Sequence, residues 1–261
     1  MIAIDLAGRV AIVTGGSRGV GRGVAERLLE AGAEVLVCGR KQPESLPRAA
    51  GREAIFAEGD VRELEAIERV LRTALDRFGR LDVLVNNAGG SPAAPAATAS
   101  PRFSEKIIQL NLIAPLHFAQ QANVAMQRQP EGGAIINIAS VSGLRASPGT
   151  AAYGAAKAGL LSLTQTLAVE WAPKVRVNAV AAGMIETELA HLHYGDGEAR
   201  ARVAASVPLG RLGTPRDVGD ACVFLASPLA RYVSGAAILV HGGGERPAFL
   251  SALGPGGSTQ R

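Results

Sequence analysis

The chain has 261 residues, 48% of them hydrophobic and only 4% aromatic, a composition typical of a closely packed α/β protein and not of a disordered one. Its net charge of +4 comes from scattered charges without a dense basic run, which argues against a nucleic-acid partner. Because no apolar run reaches the ~18 residues of a membrane span, no membrane association is expected. The N-terminus lacks a basic segment followed by an apolar stretch, so we expect a cytoplasmic protein.

Short apolar runs alternate along the chain with stretches whose apolar residues recur at helical spacing. Strands are predicted at 10–13, 34–38, 54–57, 83–85, 133–139, 175–180 and 237–240. Helices are predicted after residue 21, after residue 60, and at 104–126, 153–171 and 217–226. This alternation implies a parallel sheet with helices on both faces. We predict one domain at 1–245 and a Pro-, Gly- and Ser-rich tail at 246–261 that is partly mobile.

A glycine-rich turn follows the first predicted strand, with glycines at 15, 16, 19 and 21. Strand, glycine turn and helix are the context of a dinucleotide-binding motif, because glycines let the backbone approach a pyrophosphate at a helix N-terminus. The spacing is T-G-x-x-x-G-x-G and not G-x-G-x-x-G. The pattern G-x-x-x-x-G-K-[S/T] is absent, which argues against a nucleoside triphosphatase.

Tyr153 and Lys157 are four residues apart, which places them on one face of the predicted helix. A free tyrosine has a pKa near ~10, and a close positive charge lowers that pKa by stabilising the phenolate. A decrease by about 3 would require roughly 4 kcal/mol, which a second cation such as a nicotinamide ring could share. Taken alone, the pair also fits a solvated helix face.

Separated motifs in a fixed order make the chain similar to a known family. They are the glycine turn at 14–21, Asp60 with Val61, Asn-Asn-Ala-Gly at 86–89, Asn111, Ser140, Tyr153-x-x-x-Lys157, and Gly183 with Thr187. Over about residues 6–244 the chain resembles a short-chain dehydrogenase/reductase of the single-domain type. The resemblance implies an α/β Rossmann-like fold, a doubly wound parallel sheet of about seven strands.

The resemblance also implies the catalytic roles. Tyr153 would be the acid/base that exchanges a proton with the substrate oxygen. Lys157 would lower the tyrosine pKa and bind the nicotinamide ribose, and Ser140 would hydrogen-bond the substrate oxygen. Asn111, a polar residue amid leucines and isoleucines, would support a water chain from Lys157 to solvent.

Cofactor-binding residues follow from the resemblance in the same way. They are Gly15, Ser17, Arg18, Gly19, Val20, Gly21, Arg40, Asp60, Val61, Asn87, Ala88, Gly89, Tyr153, Lys157, Gly183, Ile185 and Thr187. Asp60 and Val61 would hold the adenine ring, while Thr187 and the backbone of Ile185 would contact the nicotinamide amide. The chain departs from the family at Ala182, where a proline is usual, and this leaves the shape of the loop open.

The end of the second strand indicates the type of dinucleotide. An NAD enzyme usually has an acidic residue there, and this chain has Gly39 followed by Arg40. Arg18 in the glycine turn is a second cation, and guanidinium groups suit a phosphate. We therefore predict NADP(H), with NAD(H) as the alternative.

The substrate is expected to be a small ketone or secondary alcohol. A 3-oxoacyl thioester is one candidate and would use a basic patch near a lid at 186–211, for which Arg200, Arg202 and Arg211 are available. Hydroxysteroid, sugar or polyol dehydrogenases are the alternative. A non-catalytic dinucleotide-sensing regulator is a further hypothesis, because a fold does not dictate a function.

Two cysteines and four histidines show no metal-ligand spacing, so no metal is expected. Cys38 and Cys222 are interpreted as small buried residues without a disulfide. Relatives usually assemble as tetramers, and a homotetramer is expected here, with the helix of Tyr153 and the helix at 218–226 as candidate interface faces.

Overall fold

Seven strands pair in parallel to form the central sheet of the protein, for which a computed structural model describes residues 4–245. Including two strands outside this sheet, the strands of the described residues are β1 (Val10–Thr14), β2 (Glu34–Gly39), β3 (Arg48–Ala49), β4 (Arg52–Glu53), β5 (Ile55–Glu58), β6 (Val83–Asn86), β7 (Gly133–Ser140), β8 (Val175–Ala182) and β9 (Ala237–Val240). The order in the sheet is β5-β2-β1-β6-β7-β8-β9, and β3 and β4 form a separate antiparallel pair. The predicted fold class is confirmed.

Helices cover both faces of this sheet. They are α1 (Gly19–Glu30), α2 (Leu64–Phe78), α3 (Pro101–Ile108), α4 (Ala114–Arg128), α5 (Ala151–Glu170), α6 (His191–Tyr194), α7 (Gly197–Ser206) and α8 (Pro215–Ala226). The core on one face is contributed by α1 and α8, and the core on the other face by α2, α4 and α5. Central strands such as β1 and β6 are buried along their whole length, as expected for strands covered on both sides.

Close packing of α1 against α8 depends on two glycines. A Cβ atom on Gly23 would lie 2.4 Å from the Pro215 side chain, and one on Gly219 would lie 2.9 Å from the Gly23 carbonyl oxygen. Larger side chains would therefore push the two helices apart. This contact fixes the position of α1, whose N-terminus faces the carboxyl edge of the sheet.

The seven predicted strands and five predicted helices all occur, with shifted ends. The helix predicted at 104–126 is three segments, because a π-helical turn at Gln109–Ile113 separates α3 from α4. The pair β3–β4 and the short helices α6 and α7 were not predicted. Cys38 and Cys222 are buried, unbonded and in cores on opposite faces of the sheet.

Two further observations concern the whole described region. Within residues 4–245, every helix is too short or too polar to cross a membrane. The tail predicted to be partly mobile, at 246–261, lies outside the described residues.

Candidate functional site

The winding of the chain reverses between β1 and β6, which lie side by side in the sheet. In open α/β sheets, ligands bind beyond the carboxyl ends of the strands at such a switch point. Thr14 ends β1, and its hydroxyl accepts the backbone N–H groups of Asn87 and Ala88, both at 2.9 Å. The Asn87 amide donates back to the Thr14 carbonyl at 2.8 Å. These bonds join the glycine turn to the loop after β6.

The glycine turn is packed too closely to hold side chains. A Cβ on Gly21 would lie 2.4 Å from the Asn87 amide nitrogen and 2.5 Å from the Gly15 carbonyl oxygen. Gly19 has a φ of +53°, in the left-handed region that favours glycine. Ser17 and Val20 are half-buried and Arg18 is exposed, so the predicted cofactor residues of this turn line one loop.

An anionic group already lies at the N-terminus of α1. The Gly19 N–H donates to both carboxylate oxygens of Glu188, at 3.1 and 3.3 Å. The first N–H groups of a helix lack partners within the helix and carry the positive end of its dipole. The glycine turn therefore binds negative charge in the way that a pyrophosphate site requires.

Ser140, Tyr153 and Lys157 come together from the end of β7 and the first turns of α5. The Ser140 hydroxyl lies close enough to the Tyr153 phenol to act on its pKa as a hydrogen-bond partner. The Lys157 ammonium lies 5.6 Å from the centre of the tyrosine ring and donates to the Ile138 carbonyl at 2.8 Å. Lys157 is only 3% exposed, so its ammonium is desolvated. It contacts one carbonyl oxygen and the face of the tyrosine ring.

Burial governs the pKa values of Tyr153 and Lys157. It raises the pKa of Tyr153, and the hydrogen bond from Ser140 partly opposes that change. It lowers the pKa of Lys157 to about 8. The net direction for the pKa of Tyr153 in this structure is upward, and the expectation that Lys157 lowers it remains a prediction. The ammonium faces the ring and a carbonyl.

Asn111 lies fully buried in the π-helical turn and contacts the loop after β6. Its amide nitrogen donates to the carbonyls of Gly90 at 3.0 Å and Ile107 at 2.9 Å, and its oxygen accepts the Gly90 N–H at 2.9 Å. A Cβ on Gly89 would lie 2.6 Å from that oxygen and 3.4 Å from the Lys157 nitrogen. Gly89 thus lets Asn111 and Lys157 approach each other. The predicted water chain from Lys157 remains a prediction.

Comparison with known proteins agrees with this geometry. The sequence profile of the enoyl-(acyl carrier protein) reductase family matches residues 15–245. The L-rhamnose 1-dehydrogenase (NAD(P)(+)) of Azotobacter vinelandii is 40% identical over 93% of this chain and 98% of its own length. The 3-oxoacyl-[acyl-carrier-protein] reductase of Vibrio harveyi is 37% identical over 92% and 98%. The ligand-free aldohexose dehydrogenase of Thermoplasma acidophilum superposes with a TM-score of 0.86 and is 29% identical over 100% of both chains.

The chain belongs to the short-chain dehydrogenase/reductase family. It is an oxidoreductase that acts on CH–OH and C=O groups and uses a nicotinamide dinucleotide. The residues of its family motifs lie around the cleft at the switch point between β1 and β6.

Residues predicted to read the adenosine half lie around the end of β2. Arg40 and Arg18 are both exposed, and neither forms an ion pair with another residue in 4–245. Asp60 is bound by Arg62, whose side-chain nitrogen donates to it at 2.9 Å, and this bond lowers the pKa of Asp60. Val61 is half-buried against the core. To bind an adenine ring, the Asp60 carboxylate would have to accept a hydrogen bond from the ring as well as from Arg62.

The segment after β8 holds the remaining cofactor residues of this short-chain dehydrogenase/reductase. Gly183 donates its N–H to the Val240 carbonyl at 2.9 Å, and a Cβ there would lie 2.6 Å from that of His241. Ile185 pairs with Gly213 in an isolated bridge. The methyl group of Thr187 lies next to Gly19, where an added Cβ would be 3.7 Å from it.

The arginines of the predicted basic patch are all paired with acids. Arg211 binds Asp217 through two bonds of 2.8 Å. Arg200 lies 3.2 Å from Glu186, and Arg202 lies 3.7 Å from Glu198. These three arginines therefore do not form a patch of excess positive charge.

Sequence reasoning missed Glu188, Tyr194 and the ion pair between Arg145 and Glu245. The Tyr194 phenol lies close enough to the Ile185 backbone to act as its hydrogen-bond partner, and close enough to Tyr153 to raise the pKa of that residue. Arg145 follows β7 by a short turn, whereas Glu245 follows β9. No spacing in the sequence joins these residues, because only the folded sheet brings their loops to one edge.

Proposed function

We propose that the protein is an NADP(H)-dependent ketone reductase or secondary-alcohol dehydrogenase, and that Asn111, Ser140, Tyr153 and Lys157 are its catalytic residues. The observation that carries the proposal is the cluster in which the Lys157 ammonium lies 5.6 Å from the centre of the Tyr153 ring, with the Ser140 hydroxyl beside the same phenol. This group lies at the carboxyl edge of the sheet, where the family motifs place the cofactor.

Each residue has a role that its surroundings support. Tyr153 keeps its proton at neutral pH, because burial raises its pKa, and it would donate that proton to the carbonyl oxygen during reduction. Ser140 would hydrogen-bond the same oxygen and stabilise the charge that develops on it. Lys157 would return a proton to the phenol and bind the nicotinamide ribose, and Asn111 would position Lys157 and its water.

The chain fits a dinucleotide, since the N-terminus of α1 already binds a carboxylate. Bound there, the nicotinamide ring would supply or accept the hydride. Residues proposed to hold the cofactor are Gly15, Ser17, Arg18, Gly19, Val20, Gly21, Arg40, Asp60, Val61, Asn87, Ala88, Gly89, Tyr153, Lys157, Gly183, Ile185 and Thr187. They fall in the glycine turn, at the ends of β2, β5 and β6, in α5 and after β8.

The preference for NADP(H) over NAD(H) rests on Arg18 and Arg40. Both are exposed beside the end of β2, where Gly39 stands in place of an acid. A 2′-phosphate would give these guanidinium groups a partner, and no carboxylate at position 39 would repel it.

Replacing Arg40 by Asp is therefore expected to weaken NADPH binding by more than about tenfold. The change removes a phosphate ligand and adds a repelling charge. The measurement is the dissociation constant for NADPH and for NADH, from the quenching of protein fluorescence. Arg72→Asp, an exposed change of equal charge on α2, serves as the control. An unchanged NADPH constant for Arg40→Asp would show that another residue reads the phosphate.

Two substrate classes are proposed. The first is a 3-oxoacyl thioester, supported by the similarity to the Vibrio harveyi reductase. The second is a sugar or polyol, supported by the pairing of Arg200, Arg202 and Arg211 with acids, which leaves little charge for a phosphorylated carrier. The ion pair of Arg145 and Glu245 also suits neutral hydroxyl groups, which both donate and accept hydrogen bonds.

A panel of acetoacetyl thioesters, cyclic ketones, steroids and sugars is expected to contain at least one class that the enzyme turns over with NADP(H). The reaction is followed by the absorbance of NADPH at saturating cofactor. Reduction of the thioester alone would select the first class, and oxidation of free sugars would select the second. Binding of NADPH without turnover of any member would instead support a dinucleotide-sensing regulator.

We further propose that residues 1–245 form one domain and that the protein works as a cytoplasmic homotetramer. Two exposed apolar side chains support the assembly: Val169 on α5 is 80% exposed, and Leu239 on β9 is 49% exposed. Side chains of this kind in a soluble protein are more stable when a second copy covers them. The helix α8, whose core face packs on α1, was the other candidate for an interface face.

A further inference from the structure

Glu188 makes a contact that the proposed reaction does not require. Its carboxylate accepts the N–H of Gly19, the first residue of the 12-residue helix α1. These residues are 169 positions apart in the chain, so the contact is made by the folding of the segment after β8 across the cleft. The carboxylate lies where the glycine turn would bind the pyrophosphate.

Tyr194 makes a second contact of the same kind, six residues further along. The Ile185 backbone lies close enough to the Tyr194 phenol to act on it as a hydrogen-bond partner. The N–H of Glu186 binds the Gly213 carbonyl and the N–H of Gly213 binds the Met184 carbonyl, so neither bond of that bridge uses the N–H of Ile185. This backbone group is the one proposed to hold the nicotinamide amide. The Tyr194 phenol thus occupies the backbone group that would bind the nicotinamide end of the cofactor.

We propose that segment 186–194 is a self-inhibitory lid in which Glu188 and Tyr194 occupy the binding positions of the pyrophosphate and the nicotinamide amide. The inference rests on the proposed function, because that proposal assigns Gly19 and Ile185 to the cofactor. Both contacts must break before a dinucleotide binds. The measured affinity is then the intrinsic affinity reduced by the fraction of molecules whose lid is open.

The lid also explains why one segment carries both contacts. A bound pyrophosphate would bring negative charge to the N-terminus of α1 and keep the Glu188 carboxylate out by repulsion. Release of Glu188 would free the segment that leads to Tyr194. Cofactor binding would therefore uncover Tyr153, which the Tyr194 phenol approaches.

The test measures binding and not turnover. Glu188→Gln, which removes the charge, is expected to lower the NADPH dissociation constant about fivefold, the scale of an anion at a helix N-terminus. Glu188→Asp keeps the charge and is one methylene too short for the Gly19 N–H, so it is expected to tighten binding as well. Glu186→Gln is the control, because Glu186 pairs with Arg200 and not with Gly19.

A fragment of the cofactor distinguishes the contact of Glu188 from that of Tyr194. 2′-Phospho-ADP-ribose carries the pyrophosphate and lacks the nicotinamide, so Glu188→Gln is expected to tighten its binding and Tyr194→Phe is not. Tyr194→Phe is expected to tighten NADPH binding by about twofold or more. Tighter binding by Glu188→Gln alone, with Glu188→Asp equal to wild type, would mean simple charge repulsion and would overturn the lid. So would an unchanged or weaker affinity in all three variants.

The same titrations keep this inference distinct from the proposed function. A wild-type protein that binds neither NADPH nor NADH refutes the function itself. A wild-type protein that binds NADPH with an affinity equal to that of both Glu188 variants refutes only the lid.

Discussion

Tyr153→Phe is expected to lower kcat by between about 10² and 10⁴ while the protein stays folded, which is the contribution of one positioned general acid. The substitution removes a single oxygen atom and keeps the ring beside the Lys157 ammonium. Ser140 loses its partner on the phenol but keeps the N–H of Ser142, which donates to its oxygen at 3.1 Å. The packing of α5 on the sheet is therefore preserved, and the loss falls on proton transfer.

The measurement is kcat at saturating NADPH and substrate, together with the NADPH dissociation constant and the free energy of unfolding. Tyr232→Phe makes the same chemical change at a fully exposed tyrosine and is expected to behave as wild type. Binding of NADPH by Tyr153→Phe should weaken far less than kcat falls, since the phenol is proposed to act chiefly on the substrate oxygen and the ring that contacts the cofactor is kept. A variant that retains a tenth of the wild-type kcat would require a different acid.

The direction of the reaction is linked to the same phenol. A neutral tyrosine can donate a proton in reduction at once, whereas oxidation requires the phenolate, which burial disfavours. In this arrangement the Lys157 ammonium does not overcome burial. A positive charge closer to the phenol is needed before the phenolate forms at neutral pH, and an oxidised nicotinamide ring would be such a charge.

The fold was predictable because its signals are local. Apolar runs of strand length such as 83–85, separated by helical stretches, specify a parallel sheet, and the glycine turn at 14–21 specifies its ligand edge. The predicted bounds that differ from the observed ones do so by one to three residues, because hydrogen bonds and not hydropathy define the ends of an element. The π-helical turn around Asn111 was not predictable, because its backbone pattern depends on the loop of Gly90 packed against it.

Site residues were predictable where a motif carries them and not where only packing does. Ser140 and Tyr153 were found from their order in the chain, and the structure brings their hydroxyl groups close together. Glu188 is an ordinary acid in the sequence, and its contact with Gly19 depends on the path of a whole segment across the cleft. The effect of burial on the Tyr153 pKa could not be read from the sequence for the same reason, since burial is a property of the tertiary structure.

Lys157→Met is expected to raise the stability of the protein below pH 8 and to lower kcat by about 10² or more. Burial lowers the pKa of Lys157 from its ordinary 10.5 to about 8, so the folded protein holds this proton less tightly than the unfolded chain. A difference of that size corresponds to a cost of about 3 kcal/mol at neutral pH. Loss of the bond to the Ile138 carbonyl offsets about 1 kcal/mol of the gain.

The sign of the pH dependence follows from proton linkage. Below pH 8 the lysine is charged in both states, and the cost is constant. Between pH 8 and 10.5 the unfolded chain binds more protons, so the stability of the wild type rises with pH. Above 10.5 the cost is gone, and Lys157→Met should lose its advantage. Comparison of variant with wild type at each pH cancels the titration of the tyrosines, which begins near ~10 in the unfolded chain.

Urea unfolding at pH 7 and at pH 10 measures this difference, and Lys174→Met provides the control. Lys174 is exposed and donates to the carbonyls of Gln127 and Gln129, at 2.9 and 3.2 Å, so its replacement removes bonds without relieving a buried charge. It should not stabilise the protein or change kcat. A Lys157→Met variant that is less stable than wild type at pH 7, or equally active, would mean that the buried ammonium is neither costly nor catalytic. If Lys157→Met is both more stable and less active than wild type, the buried charge of Lys157 destabilises the fold and is needed for the reaction.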